Sequence, residues 1–152
     1  MFRLISILIL LLPLSCVSEP VSNQDLYHLY AQLSKSTSSG EVVGDREKYF
    51  TPKYLSDVNV TEKKSLFVLK LTKYIDSIET QYQKIDSNSG CLTINGIDKE
   101  KSPVSLFVEY KKINSNWLVN YMYLNFIESK KEFINKAICP RDIEALKHNK
   151  TH

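Results

Sequence analysis

A chain of 152 residues can bury one substantial core. Its hydrophobic content of 43% and charged content of 24% are ordinary for a globular protein. The net charge is only +3, and the lysines are scattered among acids, which argues against a nucleic-acid binder with a clustered basic face.

Met1-Phe2-Arg3 precedes Leu4 to Leu14, a run that is apolar but for Ser6 and Pro13. A short positive start and an apolar run of about eleven residues predict a secretory signal over 1–15. The run falls short of the roughly twenty residues a membrane-spanning helix needs. Its exit, Leu12-Pro13-Leu14-Ser15-Cys16, resembles the lipobox of bacterial lipoproteins. Ser15 fits the small residue before the cysteine, whereas Pro13 and Leu14 depart from the usual pattern. The resemblance covers the first sixteen residues. It implies that Cys16 becomes the first mature residue and carries diacylglycerol and a further acyl chain such as palmitate. Several chains give stable anchoring where one would not. Val17, in place of Asp, implies the outer membrane, with the domain facing the periplasm. The alternative is cleavage near Ser18 and a soluble secreted protein.

Three cysteines, Cys16, Cys91 and Cys139, are an odd count for a secreted chain. Lipidation of Cys16 leaves an even pair. In an oxidising compartment Cys91–Cys139 is then the expected disulfide, with two buried free thiols as the alternative. The three histidines, His28, His148 and His152, offer no metal-ligand spacing with the cysteines, so neither metal nor cofactor is expected.

In chain order, 16–23 is a polar tether and 24–147 a single domain, with 148–152 a frayed tail. Leu26, Leu29, Tyr30 and Leu33 recur at helical spacing over 24–34, with Ser22 or Asn23 as cap. Residues 35–44 lack periodicity and read as a mobile loop. Thr51-Pro52 is a cap followed by proline at the first helical position. Phe67, Leu71, Tyr74, Ile75, Ile78, Tyr82 and Ile85 fall on one face of a long helix predicted over 62–85. From Cys91 the period changes to two. Residues 91–97 and the two arms of a hairpin over 103–127 predict a three-stranded meander, with Asn114-Ser115-Asn116 at the tip. Val104, Leu106, Val108 and Tyr110 share a face, and Trp117, Val119, Tyr121 and Tyr123 are predicted to share another on the returning arm. Residues 129–137 predict a short helix stopped by Pro140, with a last turn over 141–147.

Helices followed by an antiparallel meander predict an α+β fold, with N-terminal helices on a curved, cone-like sheet. The helix with Leu26 to Leu33, the segment Phe50-Thr51-Pro52-Lys53-Tyr54-Leu55 and the hairpin ending Asn116-Trp117-Leu118-Val119-Asn120-Tyr121 resemble the nuclear-transport-factor-two-like superfamily. That resemblance covers residues 24–127 and is one of architecture. It implies more strands than the three read here, so one sheet element is either missing or hidden within 35–60. The superfamily includes enzymes, ligand binders and protein-binding modules, so the fold leaves function open.

Glu109 and Asn120 are the polar strand residues that could face a cavity. No phosphate loop, Gly-x-Ser-x-Gly or His-Glu-x-x-His occurs, and no acid–base pair is nominated by spacing. The expectation is a non-catalytic envelope lipoprotein with an accessory or assembly role. Its partner would be another envelope protein, bound through a surface containing Tyr110, Trp117, Tyr121 and Tyr123. The alternatives are a small apolar ligand binder, an immunity or exclusion lipoprotein, and a small secreted enzyme.

Overall fold

The computed structural model describes residues 25–58 and 65–143. The signal, Cys16, the tether and the frayed tail therefore lie outside the described residues. So do the proposed caps Ser22 and Asn23. Asp25 caps the first helix, α1 (Leu26–Ser39), by accepting a hydrogen bond from Tyr27 N–H at 3.0 Å. The helix runs on past Ser34, which corrects the mobile-loop reading of 35–44. Ser36 and Thr37 are buried, and the Thr37 hydroxyl donates to the Leu33 carbonyl at 2.8 Å. The satisfied Thr37 hydroxyl and packing here outweigh the weak helix propensity of Ser and Thr. Gly40 takes a left-handed φ of 86°, and a 3-10 turn (Glu41–Val43) then buries Val42.

Two short helices follow, α2 (Arg46–Tyr49) and α3 (Pro52–Asp57). The predicted restart at Thr51-Pro52 is present, with the Thr51 hydroxyl accepting from Tyr54 N–H at 3.1 Å.

The long helix over 62–85 is replaced by two elements. Ser65–Tyr74 is a 3-10 segment broken at Lys70, and Ser77–Ile85 is a strand, β1. The stripe is accordingly split: Leu71 is buried, while Phe67, Ile78 and Ile85 are exposed. Apolar residues three and four apart fit a helix. Yet Thr80-Gln81-Tyr82-Gln83 also fits a strand once a partner strand is available. The partner is β2 (Ser89–Ile97), to which β1 pairs through a turn at 86–88.

The sheet is thus a four-stranded antiparallel meander, β1-β2-β3-β4, with β3 (Pro103–Ile113) and β4 (Asn116–Phe126) completing it. A fourth strand, β1, thus lies outside the 35–60 interval in which a further sheet element was expected. At the tip of β3–β4, Asn114 and Ser115 have φ of 47° and 68°, the left-handed pair expected of a two-residue turn. Gly96 lets the chain before β1 lie against β2. A Cβ there would run into the Ser77 carbonyl and sit 2.8 Å from the Ile75 Cγ2.

Two bulges bend this open, curled sheet. One lies between Ile78 and Thr80 on β1. The other opposes Glu109 and Tyr110 of β3 to Tyr121 and Val119, leaving Asn120 of β4 as the extra residue. The second bulge corrects the face assignment of β4. Before it, Trp117 and Val119 share the helix-covered face with Tyr110; after it, Met122 and Leu124 do, opposite Val108 and Leu106. Tyr121 and Tyr123 fall on the other face with Glu109 and Phe107.

The helices pack on the inner face, where Leu26, Tyr30, Leu33, Phe50 and Tyr54 meet Leu92, Ile94, Leu106, Val108 and Tyr110 in one core. The outer face is covered by the C-terminal segment. A 3-10 turn (Lys130–Glu132) with a capping box replaces the predicted helix over 129–137. Pro140 opens a helical turn through Ile143 where it was expected to stop one. The rest of the last turn predicted over 141–147 lies outside the described residues. Cys91 and Cys139 are joined by a disulfide, with Cα atoms 5.0 Å apart and a sequence separation of 48.

Candidate functional site

Tyr110 and Trp117 are core residues, 2% and 9% exposed, and do not form an open surface. The hairpin's alternation placed them on a strand but left undetermined which face the helices cover. Tyr121 and Tyr123 are half-buried on the outer face, where Tyr123 stacks on Phe107 with ring centroids 6.3 Å apart. The four residues expected to act together are therefore divided between the two sides of the sheet.

The polar strand residues do converge. Thr51 N–H donates to the Val119 carbonyl at 2.9 Å, and its hydroxyl donates to Asn120 Oδ1 at 3.2 Å. Asn120 Nδ2 donates to Glu109 Oε1 at 2.8 Å, and Arg141 Nε lies 3.3 Å from Glu109 Oε2. The Arg141 guanidinium also sits over the Tyr121 ring, 5.9 Å from its centroid. This chain ties the cap of α3 to the C-terminal segment through the bulge. Both Glu109 oxygens are engaged, and its side chain is only 13% exposed. A carboxylate so held is built for positioning. A second buried cluster joins Asn95 to Thr80, Ser105 and the Ile134 carbonyl, at 2.8, 2.7 and 2.8 Å. Thr93 Oγ1 accepts from Ile138 N–H at 3.0 Å. Both networks hold the C-terminal segment on the outer face.

Three buried tyrosines have their hydroxyls pushed away from ionisation. Burial raises Tyr30 to about 12, with Tyr27 adding to the shift. Burial also raises Tyr54 and Tyr110, with Tyr121 and Tyr30 respectively adding to it. Among the described residues no group of three or more His, Cys, Asp or Glu side chains is placed to hold a metal ion.

The surface departs from a plain polar exterior at one end of the sheet. There Phe67 and Phe126 are 50% and 55% exposed. Tyr74 links them edge to face, with centroid distances of 5.4 Å to Phe67 and 6.0 Å to Phe126. A hollow of about 280 Å³ beside them is lined by Lys73, Tyr74, Asp98, Lys99, Glu100 and Phe126. Its floor is fixed by the β2–β3 turn, where Asp98 Oδ1 accepts from the Glu100 and Ser102 N–H groups at 2.9 and 2.8 Å. Ile78, 39% exposed, adds apolar area at the same end of the sheet. In the sequence Phe67 falls on the apolar face of the helix predicted over 62–85, and Phe126 lies near the end of the returning arm of the hairpin. Their exposure follows from the 3-10 segment ending at Tyr74 and from Phe126 being the last residue of β4.

No protein-family model matches this chain, and no curated protein matches it significantly.

A wider groove, about 620 Å³, lies at the opposite end. Phe50, Pro52 and Leu55 border it from the helices, Ile113 and Leu118 from the hairpin tip, and Arg46 and Glu47 lie at its rim. The chain also enters the domain at this end. Leu26 N–H bonds Gln83 Oε1 at 2.9 Å, close to the β1–β2 turn.

Proposed function

We propose that this protein is a lipid-anchored envelope protein whose domain is a non-catalytic protein-binding module, with Phe67, Tyr74 and Phe126 as its contact surface. The observation that carries this reading is the pair of exposed phenylalanines, Phe67 and Phe126, bridged by the half-buried Tyr74, and their position. An anchor at Cys16 would enter the domain at Asp25, beside the β1–β2 turn. The trio sits at the other end of strands nine to eleven residues long. At about 3.3 Å per residue, that separation is roughly 30 Å. A tether from Cys16 therefore holds one end toward the membrane and presents the aromatic end away from it. Exposed aromatics beside a charged rim are the composition of a protein contact. The superfamily resemblance fits such a module. The filled inner face, where Phe50, Tyr54, Tyr110 and Met122 are buried, supports a surface binder over a ligand held inside the sheet.

The groove at the hairpin tip favours a second reading, an apolar ligand held by Phe50, Pro52, Leu55 and Leu118 at the membrane-proximal end. A photo-crosslinker placed at Phe126 in intact envelopes separates the two. The first reading expects a discrete protein adduct at Phe126, reduced at least tenfold by Phe67→Ser. An adduct only when the crosslinker is at Asn116, or no adduct at either, overturns it. Mass spectrometry of the mature N-terminus tests the anchor: an unacylated end at Glu19 refutes it.

A further inference from the structure

The two edges of the sheet are finished differently. On β4, Phe50 forms a bridge to Val119 and Thr51 N–H bonds its carbonyl, so the helical segment caps that edge at Val119. On β1, eight of nine residues are exposed, and among the described residues no backbone group bonds its outer side. An open strand edge is a template for another strand. The bulge at Glu79 and the Lys130–Glu79 ion pair (2.7 Å) interrupt one end of it. What remains regular is 80–85.

Backbone direction along this stretch follows from the turn. Asp86 N–H bonds the Ser89 carbonyl, so Asp86 points its backbone inward to β2. Alternation then turns the N–H and C=O of Gln81, Gln83 and Ile85 outward. An antiparallel copy of the same strand centred on Gln83 pairs all three, Gln83 with Gln83 and Gln81 with Ile85. Centred on Tyr82, Ile85 would meet the bulge. In the Gln83 register Tyr82 lies opposite Lys84 and Thr80 opposite Asp86, and no like charges are opposed. The twofold axis keeps inner face with inner face, so the two sheets continue into one.

We propose that β1 is a homodimerisation edge: two copies of this chain pair antiparallel through 80–86 about an axis at Gln83. This is independent of whether the chain is lipid-anchored. Residues opposed in a non-hydrogen-bonded pair have Cα atoms about 4.5 Å apart, within disulfide reach.

The test uses the full chain with Cys16→Ser. Sedimentation equilibrium is expected to give the mass of two chains with rising concentration, and Gln81→Pro to give one chain with an unchanged circular dichroism spectrum. Proline is tolerated at Gln81 because its N–H takes no part in the β1–β2 ladder. Under mild oxidation, Tyr82→Cys/Lys84→Cys is expected to form a reducible dimer, at least tenfold more than either single variant. A single-chain mass throughout, or a dimer that Gln81→Pro leaves intact, overturns the proposal. So does crosslinking by the single variants that equals the double variant, which would mean another register.

Discussion

Asn95 shows what one side chain contributes to this fold. It is fully buried on the outer face of β2, donates to Thr80 and Ile134, and accepts from Ser105. Removing it leaves the buried Ser105 hydroxyl without its acceptor and the half-buried Ile134 carbonyl without its donor. Asn95→Ala is therefore expected to cost about 2–4 kcal/mol, since an unsatisfied buried group costs about 1–3 kcal/mol. Urea unfolding checks this, and a loss below about 1 kcal/mol would show that the cluster relaxes to other partners. The role of Asn95 was barely legible in the sequence. Cys91-Leu-Thr-Ile-Asn-Gly-Ile alternates polar with apolar, which ordinarily marks one wet face. The face is dry because Ile134 and Ile138, about forty residues on, supply its hydrogen-bond partners.

At the scale of elements, the hairpin and the C-terminal segment differ in how they are specified. The hairpin is local: alternating strands and a left-handed Asn114-Ser115 turn carry their own register. The C-terminal segment has little regular structure and is held by the disulfide, by Thr93 and Asn95, and by Arg141 on Glu109. Closing a 48-residue separation constrains the unfolded chain by about 4 kcal/mol in the loop-entropy model. Cys91→Ser/Cys139→Ser is expected to lower stability by about 2–4 kcal/mol. Proteolysis of that variant should begin within 128–143, ahead of the hairpin. Simultaneous loss of both would show that the segment and the sheet unfold as one unit.

For the whole molecule, the core joins Tyr30 of α1, Tyr54 of α3 and Tyr110 of β3, all protected from ionisation by burial. The folded chain holds these protons more tightly than the unfolded chain, in which tyrosine ionises near 10. Their effect on stability is thus fully present below about pH 10. It is lost as pH rises through about 12, the folded value for Tyr30. Alkaline titration followed by tyrosinate absorbance and circular dichroism is expected to show the buried tyrosines ionising together with unfolding. Tyr30→Phe should reduce the steepness of that loss. Ionisation of all tyrosines with the fold intact would contradict the packing described.

By itself the sequence determined the α+β class, the cap at Thr51, which residues of β3 share a face, the hairpin and the cysteine pair. Each rests on signals within a few residues, or, for the cysteines, on there being one pair left to join. The tertiary structure decided three other things. Residues 77–85 became a strand because β2 offered them a ladder. Trp117 and Tyr121 parted to opposite faces because one extra residue, Asn120, bulges there. Phe67 and Phe126 were left outside because the core was already filled by helices α1 and α3. Local propensity cannot settle such choices, because their energies come from partners distant in sequence.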